Sequence, residues 1–284
     1  RNSKLPGSSL IARLATMETG ASIARLAVTR FCLHKGIMSD HADQFDKILQ
    51  EWSFEPGQVQ VRQIEGIDGR DLLQMRVDMG LLQMETSGRP DGQAPDGFET
   101  YLDFLVAQAF EAGDSFRLND EQCTEVDREF YQFYHRRICW LTLREYAAAI
   151  KDATHTLSLL DFTSAYGPDP EWSLLHEQYR PFVMFHKIQA TALMHLEENN
   201  PEPAVQAIDD GLKQLQKVFE KHEADEFFEE DSFVQKLQEM RTAIVDQYEL
   251  GPTLAEQLAE AIEQEQYELA AKLRDRMTRP GGST

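Results

Sequence analysis

From Phe98 onward the apolar residues of this 284-residue chain recur on helical spacing, and that periodicity restricts the fold more than any other feature. Tyr101, Leu102, Leu105, Val106, Ala109 and Phe110 form one stripe, with Gly113 placed to end it. Asn119 or Asp120 can cap a long helix from Glu121 to about Leu143. Its buried face is predicted to hold Val126, Phe130, Phe133, Tyr134, Ile138 and Leu141. A second helix, Arg144 to Leu160, follows almost without a linker. A further helix, His176 to Leu196, precedes a stretch in which Ala204, Val205, Ile208 and Leu212 share a face. A last long helix, Ser232 to about Tyr248, places Phe233, Leu237, Met240, Ile244 and Val245 on one stripe. The densely acidic Glu220–Asp231 reads as a solvated bend with Phe227 and Phe228 tucked back. Helices joined by short linkers pack side by side, so the expected class is mainly α, built of antiparallel helix pairs.

Before Phe98 the pattern differs. A short helix from Ser39 to about Trp52 is predicted, with Phe45, Ile48, Leu49 and Trp52 on one face and Pro56-Gly57 to end it. Gln58 to Ile64 then alternates as a strand does, and Asp68-Gly69 signals a turn. From Asp71 to Thr86, Leu73, Met75, Val77, Met79 and Leu81 fall on one side until the pattern slips at Gly80 to Leu82 and Met84. This makes a small β-hairpin, or a three-stranded unit if a bulge at Gly80 splits the longer run. Two strands alone are seldom stable, so the unit should pack on the neighbouring helices through its Met-rich face.

Two helix pairs in the middle resemble tetratricopeptide repeats. Tyr146, Ala149, Ile150, Ala153 and Leu157 match the second-helix pattern of small and large residues. Ala204, Val205, Ile208 and Leu212 repeat the last four at a constant spacing of 55 residues. The usual repeat is about 34 residues, so an insert is required, placed at Asp161–Trp172. Arg137 stands where the first helix normally has a small close-packing residue, whereas Ala192 fits that site in the second copy.

Thr253 to Met277 (TLAEQLAEAIEQEQYELAAKLRDRM) holds two apolar sets at helical spacing. Leu254, Leu258, Ala261 and Ile262 form the first, and Tyr267, Ala270, Ala271 and Leu273 the second. The polar Glu263–Gln266 between them is too short for a long loop, so a C-terminal helical hairpin is predicted. Leu250-Gly251-Pro252 forms the hinge ahead of it, and Thr253 with Glu256 is set out as a capping box. The run E-x-Y-E-x-A-A-x-L-R-D from Glu265 to Asp275, with the first apolar set, resembles the UVR motif. That motif is shared by UvrB, UvrC, ClpC-type ATPases and McsA-like proteins. The resemblance covers about a tenth of the chain and implies a hairpin that pairs with a protein partner, possibly another UVR motif. The residues it assigns to partner binding are Leu254, Leu258, Ile262, Tyr267, Ala270, Leu273, Arg274 and Asp275. The physical argument agrees. Two short helices bury little against each other and are marginal alone, so the hairpin needs cover, unless it simply caps the helical array.

Composition narrows the function classes. The net charge of −21 works against direct nucleic-acid binding through a basic surface. Residues 1–37 differ, with six basic residues against one acidic. They read as an organelle transit peptide or as sequence upstream of a start at Met38. The full organisation expected is a leader (1–37), a helix with a β-hairpin (38–97), helical pairs (98–250), the terminal hairpin (251–278) and a short tail (279–284). No apolar run is long enough to cross a membrane. Cys32, Cys123 and Cys139 lack CxxC spacing, which fits reduced thiols in the cytoplasm.

No catalytic, cofactor-binding or metal-ligating set is discernible. The eight histidines make no HExxH, and no Gly-rich phosphate loop or GxSxG elbow exists. His135, Arg136, Arg137 and Trp140 form one dense basic–aromatic cluster, read as a salt-bridged surface turn, although a concave ligand groove could use it. The function expected is a non-enzymatic adaptor or regulator. The alternatives are an accessory factor of nucleotide excision repair and an unrecognised enzyme.

Overall fold

The computed structural model describes residues 42–252 and 254–278. The leader 1–37 and the tail 279–284 expected from the sequence lie outside the described residues. Helix α1 (Ala42–Glu51) leads into three strands, β1 (Gln60–Glu65), β2 (Asp71–Val77) and β3 (Gly80–Glu85). They form an antiparallel sheet in the order β1-β2-β3. The longer strand-like run is split by a tight turn at Asp78-Met79, where Val77 pairs with Gly80, and not by a bulge at Gly80. Met79, expected on the apolar face, therefore sits at the turn and is exposed. Leu73 and Met84 pack with Cys139, Trp140 and Tyr146, which lays the sheet on the helices as expected.

Helix α2 (Tyr101–Ala112) is followed by α3 (Asp120–Leu143) and α4 (Tyr146–Tyr166). Asn119 starts α3 with a capping box. Its side chain accepts from the Gln122 amide while the Gln122 side chain accepts from the Asn119 N–H, both at 2.9 Å. On α2 the buried stripe is narrower than predicted. Tyr101, Leu102, Leu105 and Ala109 are inside, whereas Val106 is exposed and Phe110 is 89 % exposed. The reason is that α2 meets its neighbours on one side only, chiefly α3.

Helix α4 runs six residues past Leu160, into the expected insert, because Phe162 and Tyr166 pack edge-on against Phe116. The rest of that insert begins α5 (Pro170–Glu177), capped by Asp169. The single helix predicted from His176 to Leu196 is broken before α6 (Arg180–Glu197). Pro181 accounts for the break: it lacks an N–H, and its ring would clash with the carbonyl of residue 177 in a continuous helix. Helices α7 (Pro201–Lys221) and α8 (Ser232–Gln247) complete the array. Phe228 is buried and Phe227 packs beside it in the acidic bend between them. Helix α4 lies between α3 and α6, and α7 between α6 and α8.

Burial repeats with the 55-residue spacing. Ala149 and Ala204 are buried, as are Ala153 and Ile208, and Arg137 and Ala192. At the α6–α7 crossing, a Cβ on Gly211 would lie 2.4 Å from Ile188 Cγ1 and 2.8 Å from its Cγ2. Overpacking at such a site costs about 1–3 kcal/mol, against about 1 kcal/mol of helix propensity that alanine gains over glycine. Gly211→Ala is therefore expected to lower the urea midpoint without changing its slope.

Helix ends share an unusual device. Arg144, Asn199, Glu223 and Glu249 all have positive φ, between 50° and 62°. Each closes its helix with paired bonds of the Schellman type, such as Asn200 N–H to the His195 carbonyl with Asn199 N–H to the Leu196 carbonyl. Glycine is the usual residue there, and none of these helices uses it.

Candidate functional site

The basic–aromatic cluster is not a surface turn. Arg136 and Arg137 lie inside α3 and are buried, Arg137 to 1 % exposure. Arg136 binds both oxygens of Asp152 at 2.9 and 2.8 Å and donates to the carbonyls of Glu85 and Gly88. Arg137 donates to Thr156 Oγ1 at 3.0 Å and to His186 Nδ1 at 3.2 Å. Burial, then the Arg137 charge, push the His186 pKa down to about 3, so its imidazole is neutral and accepts through Nδ1. These groups brace the array, and helical spacing alone does not mark Glu129, Asp152 and Glu177 as buried.

An open cleft of about 480 Å³ lies where α4, α5 and α7 end together, lined by Arg117, Ser164, Ser173, Glu177, Lys221 and His222. Its buried carboxylate, Glu177, is held by Arg180 at 2.7 and 2.9 Å. Burial alone would raise the Glu177 pKa, but bonds and charge from His222, Arg180 and Lys221 outweigh it and lower it to about 2. A carboxylate so engaged is a strut and a poor proton acceptor. Burial raises the Cys123 thiol to about 11 and the Cys139 thiol to about 12, so both remain protonated and inert. Among the described residues no His, Cys, Asp and Glu side chains gather in a group that could hold a metal ion. No helix among them is long and apolar enough to cross a membrane.

The terminal segment is a hairpin of α9 (Leu254–Glu263) and α10 (Tyr267–Thr278). Glu265 turns it at φ 55°, with Gln266 N–H donating to the Ala261 carbonyl at 2.7 Å and Glu265 N–H to the Ile262 carbonyl at 3.0 Å. The turn leaves the two helices facing each other, and Ala261, Ala270 and Leu273 meet in a small core of their own with Leu258 against it. Two of these are alanines, so little apolar surface is removed from water.

The residues assigned to partner binding therefore fall into separate groups. Ala270 and Leu273 are buried inside the hairpin, and Leu258 is half-buried there. Ile262 and Tyr267 face outward, 54 % and 68 % exposed. Arg274 and Asp275 are exposed and lie 3.7 Å apart. The side chain of Leu254, like the capping role expected of Thr253, lies outside the described residues. Leu269, not singled out in the sequence, is 43 % exposed as well. Its place on α10 is one residue off the inward Ala270–Leu273 face, a signal that helical spacing does carry.

The molecule is thus a mainly helical protein with a small antiparallel sheet and a C-terminal helical pair that leaves Ile262, Tyr267 and Leu269 exposed. That helical pair matches the family model described as the UvrB/uvrC motif, over residues 252–279. No curated protein and no solved structure matches the chain.

Proposed function

We propose that this chain is a non-enzymatic adaptor or regulator that holds a protein partner through its C-terminal hairpin. The observation that carries the reading is that Ile262, Tyr267 and Leu269 all stay exposed on a hairpin whose own core is Ala261, Ala270 and Leu273 with Leu258 against it. Large apolar side chains left exposed on so thinly cored an element gain most from being covered by another protein. The match to the UvrB/uvrC motif supports the same reading, and it leaves open that the partner carries a like hairpin. The 55-residue recurrence of buried positions supports tetratricopeptide-like pairs in the body, which would act as the scaffold.

The test is capture of partners by the full chain and by an Ile262→Lys/Tyr267→Asp variant. Tyr267 opens α10, where an aspartate favours the helix, and Ile262 lies in the last turn of α9, where a lysine does, so the hairpin should stay formed. Loss of the specifically captured proteins is the expected outcome. Retention of every one of them by the variant would remove the hairpin from the function.

A second reading, an accessory factor of DNA repair, is favoured by the motif alone. The net charge of −21 opposes direct contact with DNA. Filter binding at low salt separates the two: tight binding that weakens steeply as salt rises would favour the repair reading.

A further inference from the structure

What fixes the direction in which the hairpin points is a separate question from what it binds. Leu250 is packed into the core of α6, α7 and α8, and α9 begins at Leu254. Gly251 and Pro252 between them are exposed, and a Cβ on Gly251 would meet nothing within 4 Å. Among the described residues the apolar cluster of the hairpin contains hairpin residues only. No shared core among the described residues therefore sets its orientation.

A polar tie does connect it to the body. The Arg241 guanidinium, on α8, donates through Nε and Nη2 to the two oxygens of Asp209 on α7, at 2.5 and 3.3 Å. Nη2 also donates to Glu256 Oε1 on α9 at 2.6 Å. We propose that Arg241 is a clasp that sets the orientation of the hairpin on the array, and that ionic strength loosens it. Asp209 already holds the guanidinium in place, so forming the clasp restrains only the Glu256 side chain and the joint at Gly251-Pro252. Arg241 is part-buried and Glu256 about half exposed, and ion pairs of that exposure are weak and screened by salt. The clasp leaves Ile262, Tyr267 and Leu269 uncovered. It therefore orients the hairpin without hiding these residues. Arg241 and Glu256 are positioning residues, and this deepens the partner reading by naming what orients the same surface.

The experiment uses the full chain without a partner, so its result is independent of whether the hairpin binds one. Spin labels at Lys213→Cys on α7 and Lys272→Cys on α10, in a Cys32→Ser background, report the distance between array and hairpin. Cys123 and Cys139 are buried and should not label. Between ionic strengths of about 0.01 M and 1 M the screening length falls from about 30 Å to about 3 Å. One narrow distance population is expected at the lower value and a broad one at the higher. Glu256→Gln leaves the Arg241–Asp209 bonds intact and keeps a neutral acceptor without the charge, so at the lower value its population should be broader than that of the native chain and change little with ionic strength, with an unchanged thermal midpoint. A population in Glu256→Gln as narrow as the native one at low ionic strength would overturn the proposal.

Discussion

Replacing Glu129 with alanine is expected to destabilise this protein by about 3–5 kcal/mol, the cost of breaking a fully buried charged network from one side. Glu129 projects from α3 and is inaccessible to solvent. Its two oxygens accept from the Tyr101 amide at 2.7 Å and the Leu102 amide at 3.0 Å. Those are the first two residues of α2, whose amides no helical carbonyl can satisfy. Thr100 takes the third, from Asp103. The carboxylate also meets His155 Nε2 at 2.9 Å and lies 3.6 Å from Arg89 Nε. Alanine leaves two buried amides bare and weakens the pairing of a buried guanidinium. Denaturant unfolding should show the loss, and hydrogen exchange should quicken most at Tyr101 and Leu102. Glu129→Gln keeps one acceptor and should cost clearly less. Equal losses in the two variants would mean that packing, and not capping, is what the side chain supplies.

Acid should weaken the fold from about pH 6.5 downward, and His186 should be responsible for the first part of that loss. In the unfolded chain a histidine takes up a proton near pH 6.5, whereas in the fold His186 does so only near pH 3. Between those values the unfolded state binds more protons, so stability is complete above pH 6.5 and falls as pH drops toward 3. At pH 5 the loss is about 2 kcal/mol, at 1.36 kcal/mol for each unit. Glu177 adds a second window lower down. Its pKa falls from 4.5 unfolded to about 2 folded, so its contribution is present above pH 4.5 and lost as pH falls through 2. The check is the denaturant midpoint against pH for the native chain and for His186→Gln, which keeps an oxygen for Arg137 but has no proton to gain. Stability of that variant should fall much less from pH 6.5 to 4.5, the remaining slope coming from His135, whose pKa burial also lowers. A variant as acid-labile as the native chain would assign the first window to another group.

Both predictions concern ionisable residues whose burial the helical pattern does not mark, and the reason is physical. Helical spacing reports which face is inside; it does not report that an inside position is charged. Glu129 sits among Val126, Phe133 and Trp140 on the buried side of α3, but as a lone acid it reads as a break in the stripe. Arg137 occupies the inner site where the matching residue of the second pair is Ala192, and the departure from the small-residue pattern was visible without its partners Thr156 and His186 being so. Those lie 19 and 49 residues away and meet it only through the fold. What local chemistry governs was legible. The sheet, the Asn119 cap, the Gly113 stop, the acidic bend and the terminal hairpin all follow from short patterns. Helix ends were legible even where Arg144 and Asn199 stand in place of glycine, since the helices predicted to Leu143 and Leu196 end at Leu143 and Glu197. Less legible were the end of α4, which passes Leu160 by six residues, and the break before Arg180. On the hairpin, spacing placed Ile262 and Tyr267 in the same seam as Ala270 and Leu273, but the closing of the two helices on each other divides them between outside and inside.

That α3 supplies Glu129 to finish α2 and Arg136 to grip the carbonyls beyond β3 has a consequence for biosynthesis. A nascent chain leaves the ribosome from its N-terminal end at about 5–20 residues per second. The strands and α2 emerge seconds before the side chains that complete them. During that interval the Tyr101 and Leu102 amides and the Met-rich face of the sheet have only water or a chaperone to meet. The first half of this molecule is thus assembled backward, around a rod that arrives after it.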